Sequence, residues 1–186
     1  LHLIKRKHFK TQGLMNYKEK FKDITTVVLD VDGVLTNAEI LLIPGAEPVR
    51  KMHSKDGYAL QLAVRNGIRM AIITGGTSPD VKERLQGIGI KDIYMRASHK
   101  MEAYEDLKMC YDLSNEEILY MGDDLPDYDV MEVCGLACCP QDAAPEIKAI
   151  ADYVSPVKGG RGCVRDVLEQ LLKIHGKWGR KEDRTW

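Results

Sequence analysis

The chain has 186 residues and a mass of 21.0 kDa, which suits one domain with a sizeable buried core. With 44% hydrophobic and 30% charged residues, its composition is that of an ordinary globular protein. The formal net charge of −1 excludes a global field that would draw the chain to nucleic acid or to an anionic membrane, and no apolar run approaches the ~20 residues of a membrane span.

In chain order, residues 1–20 read as an N-terminal extension without fixed structure. It is basic at Lys5, Arg6, Lys7 and Lys10 but lacks the apolar stretch of a signal peptide. Residues 24–29 form a short β-branched run that predicts a fully buried strand, and it ends at Asp30-Val31-Asp32-Gly33. Residues 39–43 and 47–52 flank Pro44-Gly45-Ala46, which predicts a β-hairpin. Helical spacing over 56–66 stops at Gly67. A second strand over 70–73 leads into Thr74-Gly75-Gly76-Thr77-Ser78, after which Pro79 opens a helix that closes near Gly89.

A third strand over 92–95 is followed by a helix from Lys100 to Tyr111. The fourth strand, 119–121, leads into Gly122-Asp123-Asp124-Leu125-Pro126-Asp127. A helix over 128–134, a fifth strand over 136–139, a helix over 144–151 and a short sixth strand over 153–154 complete the alternation. Gly159-Gly160-Arg161-Gly162 then precedes a last helix over 164–175. This order predicts an α/β fold, a doubly wound parallel sheet with helices on both faces, occupying residues 21–178 and followed by a tail over 179–186. The five cysteines show no C-x-x-C spacing and read as reduced thiols of a cytoplasmic protein.

In such sheets ligands bind beyond the carboxyl ends of the strands, and three predicted strands end in chemically unusual segments. Asp30 and Asp32, two residues apart at a strand exit, repel each other unless a cation or a shared proton intervenes. Alone, such a pair could equally cap a helix or bind calcium. Asp123 and Asp124 add oxygen donors from another strand end, and an all-oxygen set suits Mg2+. Thr74 offers a hydroxyl and backbone N–H groups to a phosphoryl oxygen, and Lys100 supplies a point charge. A carboxylate nucleophile, a metal, a lysine and a hydroxyl together make a phosphoryl-transfer site.

Asp30-Val31-Asp32-Gly33-Val34-Leu35-Thr36, Thr74-Gly75, Lys100 and Gly122 to Asp127 resemble the four ordered motifs of the haloacid dehalogenase superfamily, over roughly residues 24–178. The resemblance implies a nucleophilic Asp30 that forms an aspartyl-phosphate, and an Asp32 that protonates the leaving alkoxide and then activates water. It implies that Thr74, Gly75 and Lys100 hold the phosphoryl group. Magnesium would be held by Asp30, the backbone carbonyl of Asp32 and Asp123, with Asp124 and Asp127 acting from behind these ligands.

The intervals between motifs leave no room for a cap domain. Transfer from a small phosphate monoester needs water excluded. A capless site must then accept a large substrate or borrow a lid from a neighbouring subunit, and the hairpin is the element to project and pair. This architecture is similar to the capless 3-deoxy-D-manno-octulosonate 8-phosphate (KDO 8-phosphate) phosphatase family of lipopolysaccharide synthesis. Lys55-Asp56-Gly57-Tyr58, Gly159-Gly160-Arg161-Gly162 and Gly176-Lys177-Trp178 also carry the likeness. It implies a homotetramer, with Lys55 and Arg161 as candidates to meet the substrate carboxylate or phosphate, within a subunit or across a boundary. Two positions depart from that family: Gly76 stands where a basic residue is usual, and His99 where Asp is common. The motifs leave open a nine-carbon, sialic-acid-like sugar phosphate, a phosphoprotein substrate, and a non-catalytic oligomerisation module.

Overall fold

The computed structural model describes residues 16–45 and 47–185. Six parallel strands are joined by helices: β1 (Thr26–Leu29), β2 (Arg69–Ile73), β3 (Asp92–Tyr94), β4 (Ile118–Met121), β5 (Leu136–Cys139) and β6 (Tyr153–Val154). Their spatial order is β3-β2-β1-β4-β5-β6, so the chain winds outward from β1 in one direction and then the other. The order reverses between β1 and β4, where a doubly wound sheet opens its crevice.

Alternation along each strand divides the interior into two cores. Val27, Leu29, Met70, Ile72, Leu119 and Met121 face one side, where they meet α2 (Ser54–Arg65), α3 (Pro79–Ile88) and α7 (Cys163–Ile174). Val28, Ala71, Ile73, Ile118 and Tyr120 face the other, under α4 (Lys100–Tyr111), α5 (Tyr128–Val133) and α6 (Pro145–Ile150). Both faces are covered, which is why these strands are continuous apolar runs rather than alternating ones. Helix α7 shows the complementary pattern: Val164, Val167, Leu168, Leu171 and Leu172 are buried at three- and four-residue spacing.

Of the expected N-terminal extension, residues 1–15 lie outside the described residues. Its last part forms the short helix α1 (Tyr17–Lys20), capped by Asn16. Tyr17 stacks on Tyr153 and Lys20 pairs with Asp152 at 2.6 Å, tying α1 to the β6 edge. At the other end, a turn at Lys181–Arg184 lies on α2, where Tyr58 donates to the Asp183 carbonyl and Arg180 to Asn66.

The hairpin expected over 39–52 is reduced to one antiparallel bridge, Leu41 with Val49, closed by backbone bonds of 3.1 and 3.0 Å. Pro44 closes the outgoing arm shortly after the bridging Leu41, and the proline-bounded turn leaves no second bridge among the described residues. The result is a protruding ribbon rather than a two-stranded hairpin. It carries exposed Ile40, Leu41, Leu42, Ile43 and Val49.

Candidate active site

The carboxyl ends of β1, β2 and β4 converge on an open cleft of about 450 Å³ lined by Asp30, Asp32, Thr74, Gly76, Lys100 and Asp123, among others. Asp30 follows β1 directly and is buried. The next residues make a tight turn over Val31–Leu35, closed by Thr36 N–H donating to the Val31 carbonyl at 2.9 Å. Gly33 is needed here for two reasons. Its φ of +98° is left-handed, and a Cβ would stand 1.9 Å from Asp123 Oδ2. The turn therefore lets the β1 and β4 loops close on each other. Gly159 and Gly160 press against the same turn, the second donating to the Val34 carbonyl at 2.9 Å.

Lys100, the first residue of α4, reaches back under the cleft. Its Nζ stands 3.0 Å from Asp30 Oδ1 and 2.7 Å from Asp127 Oδ1. Asp127 is buried and fully engaged: Tyr120 donates to Oδ1 at 2.6 Å, and the Asp123 backbone N–H to Oδ2 at 3.1 Å. Gly122 leaves room for it, since a Cβ there would lie 2.4 Å from the Asp127 side chain. Asp127 thus holds the Asp123 backbone and Lys100 at once. Asp124 is exposed and caps the turn that follows, accepting from Leu125 N–H at 2.8 Å. Thr74 ends β2, and its hydroxyl accepts from Gly76 N–H at 3.1 Å.

Electrostatics sets what this cluster tolerates. Burial pushes the Asp30 carboxyl up to about 6, against the opposing pull of Lys100 and with added repulsion from Asp127. Burial, with Asp30 and Asp127 nearby, pushes Asp123 up to about 8. Burial opposes the charge on Lys100, but Asp30 and Asp127 outweigh it and its pKa is raised, so the ammonium is secure. One oxygen each of Asp30, Asp123 and Asp127 lies within 4.8 Å of the others. Three carboxylates against one ammonium leave an excess of negative charge in a buried place, and a divalent cation is the counter-charge that hard oxygen donors select. The donor set fits magnesium, for which Asp30 and Asp123 would be the side-chain ligands. Asp127, already saturated by Lys100, Tyr120 and backbone N–H groups, supports them.

Asp32 leaves the turn on the other side of the cleft, away from the three clustered carboxylates. Arg50 grips it there: Nε to Oδ1 at 2.7 Å, a terminal nitrogen to Oδ2 at 3.1 Å. Lys55 and Arg161 are exposed and stand outside the residues that line the cleft. His99 is exposed just before Lys100. Sequence reasoning passed over two residues. Tyr120 was signalled only as a polar ring inside an apolar strand, where a buried hydroxyl needs a partner. Arg50 carried no motif at all.

A family model for haloacid dehalogenase-like hydrolases matches residues 86–165. A 3-deoxy-D-manno-octulosonate 8-phosphate phosphatase from Escherichia coli strain K12 is 39% identical over 158 residues, spanning 85% of this chain and 84% of the relative. The chain belongs to the KDO 8-phosphate phosphatase family of haloacid dehalogenase-like hydrolases. Among solved structures, the phosphatase of that name from Yersinia pestis superposes with a TM-score of 0.85 at 32% identity, covering 88% of each chain. The Moraxella catarrhalis phosphatase, solved with a magnesium ion, a phosphate ion and a KDO molecule, gives 0.83 at 32% identity, covering 86% of this chain and 92% of that one. The family's capless architecture agrees with the open cleft and with motif intervals that hold only the ribbon and sheet-covering helices.

Proposed function

We propose that this chain is a magnesium-dependent phosphatase that hydrolyses 3-deoxy-D-manno-octulosonate 8-phosphate to the free sugar acid and phosphate, in the supply of lipopolysaccharide precursors. The observation that carries the reading is the buried Asp30 carboxylate, held at 3.0 Å by Lys100 beside Asp123, at the sheet's switch point in a chain of this family. Asp30 attacks phosphorus, and the bond to the sugar oxygen breaks as the aspartyl-phosphate forms. Asp32 gives its proton to the departing oxygen, then takes one from the water that cleaves the aspartyl-phosphate. The Thr74 hydroxyl, the Gly75 backbone and Lys100 hold the phosphoryl oxygens and offset their charge. Asp30, Asp123 and the Asp32 carbonyl would hold magnesium, which would supply further neutralisation of the transferring group.

An open cleft for a small substrate needs cover. We assign that cover to a homotetramer in which ribbons of neighbouring subunits meet. The ribbon's exposed Leu41, Leu42 and Ile43 support this. Lys55 and Arg161, exposed and outside the lining of their own cleft, would then serve substrate at a subunit boundary. The free thiols fit a reducing compartment, and we place the enzyme in the cytoplasm.

The test is phosphate release from a panel of phosphates with magnesium and with excess chelator. The panel holds the eight-carbon and nine-carbon keto-acid phosphates, hexose phosphates and a phosphopeptide. Chelator-sensitive preference for the eight-carbon acid is expected. Preference for the nine-carbon acid would keep the chemistry and replace the substrate; no release from any member would overturn the phosphatase reading.

A further inference from the structure

Asp32 has two side-chain neighbours among the described residues that bind it, and they come from different places. Thr36, inside the same turn, donates to Oδ1 at 3.3 Å. Arg50, from the return arm of the ribbon one residue past bridging Val49, grips both oxygens with a guanidinium fork. The grip is sheltered: the Arg50 side chain is 11% exposed and that of Asp32 31%. A charge-assisted, two-point contact fixes the plane of a carboxylate as well as its position, which a single bond does not.

The two oxygens of Asp32 are not equivalent. Oδ1 is anchored by the shorter Arg50 bond of 2.7 Å and by Thr36, whereas Oδ2 has only the longer bond of 3.1 Å. Oδ2 also looks toward the cleft wall at Gly76, where a Cβ would stand 3.7 Å from it and 3.8 Å from the Arg50 terminal nitrogen. A side chain at position 76 would start in contact with both Asp32 Oδ2 and the guanidinium. Glycine at 76 and arginine at 50 therefore belong to one arrangement.

We infer that Arg50 is a positioning residue for proton transfer, holding Oδ1 of Asp32 so that Oδ2 is aimed at the oxygen that leaves phosphorus. The inference rests on the reading of Asp32 as the acid. In the step concerned, the Asp30–phosphorus bond forms, the phosphorus–oxygen bond to the sugar breaks, and the proton on Oδ2 passes to the departing oxygen. The weaker arm of the fork releases Oδ2 to carry that proton while the stronger arm keeps the carboxyl in place. Misplacement of an acid by ~1 Å is enough to forfeit most of its advantage. Because Arg50 is borne by the ribbon, whatever seats the ribbon also sets the acid.

The experiment compares two leaving groups. An alkyl phosphate needs its leaving oxygen protonated; p-nitrophenyl phosphate does not. The readout is the ratio of kcat/KM for the alkyl substrate to that for the aryl one, in wild type, Arg50→Gln, Arg50→Lys and Asp32→Asn, with assembly checked by light scattering. Arg50→Gln is expected to lower the ratio by about 10²-fold, within the usual range of general acid catalysis. Arg50→Lys should recover part of it, and Asp32→Asn should lower it at least as far. A ratio lowered by Asp32→Asn but unmoved by Arg50→Gln would overturn the role of Arg50 while sparing that of Asp32. An equal fall on both substrates in Arg50→Gln would reduce Arg50 to a structural tie of the ribbon. A ratio unmoved in Asp32→Asn would remove the acid itself, and the inference with it.

Discussion

The cleft and the ribbon meet where Arg50 binds Asp32, yet they are built on opposite terms. In the cleft, Asp30, Lys100, Asp127 and Tyr120 are buried, mutually bonded and held by the ends of strands that are themselves paired on both sides. In the ribbon, one backbone bridge holds an arm whose apolar side chains face outward, Leu42 being 76% exposed. The first region satisfies its charges within the chain, apart from a cation. The second leaves its apolar surface for another surface to cover. On the proposed reading, chemistry sits in the buried region and cover of the cleft in the exposed one, and Arg50 is the residue that belongs to both.

The sharpest way to separate the two regions is to remove the proposed nucleophile. Asp30→Asn should cut turnover by at least about 10⁴-fold, because the proposed covalent intermediate forms on this carboxylate. Its circular dichroism and its assembly should match wild type, since the substitution also relieves repulsion with Asp127. Phosphate release in a coupled assay checks the first claim, and substantial residual turnover would break the covalent mechanism. The converse variant places charge on the ribbon: Leu41→Glu with Leu42→Glu should lower the solution mass to that of a monomer. Activity should fall roughly tenfold or more as the cleft loses its cover. A charged ribbon with the mass and activity of wild type would show that the two regions are independent.

The smallest effect concerns pH, metal and stability. In the metal-free chain, Asp30 near 6 and Asp123 near 8 hold protons that the unfolded chain, with carboxyls titrating near ~4, has released. The folded state then binds more protons than the unfolded one between roughly pH 4 and 8, so metal-free stability falls as pH rises through that window. Magnesium replaces those protons and should stabilise more at pH 8 than at pH 5.5. At about 100 times its Kd it adds about 2.7 kcal/mol, a Tm shift of roughly 5–10 °C for a chain of this size. Scanning calorimetry with magnesium and with chelator at both pH values checks this. A magnesium increment independent of pH would mean that the clustered carboxylates are not where the ion binds.

Much of the fold could be read in advance, because a sheet covered on both faces demands continuous β-branched and aliphatic runs, and helices that cover it demand three- and four-residue spacing. Residues such as 27–29 and 70–73 announce themselves by that demand, and α7 by its stripe. Asp30, Lys100 and the acidic loop were legible because each sits where a strand or helix begins or ends. The ribbon was legible only as a reversal. Local signals place a turn at Pro44-Gly45, but how far the arms pair depends on what the apolar side chains of the ribbon meet. The tail after Trp178 carried no pattern, and its contacts with Tyr58 and Asn66 are long-range.

By itself, then, the sequence determined the alternation of strands and helices, the identity of the chemical groups and their order along the chain. These follow from local periodicity and from residue types that few other reactions require together. Only the tertiary structure decided which groups touch. It brought Lys100 between Asp30 and Asp127, seated Tyr120 on Asp127, set Asp32 apart from the clustered carboxylates, and delivered Arg50 across eighteen positions of chain to hold it. The physical reason is that such contacts are satisfied by burial and charge in three dimensions, where separation along the chain sets no distance.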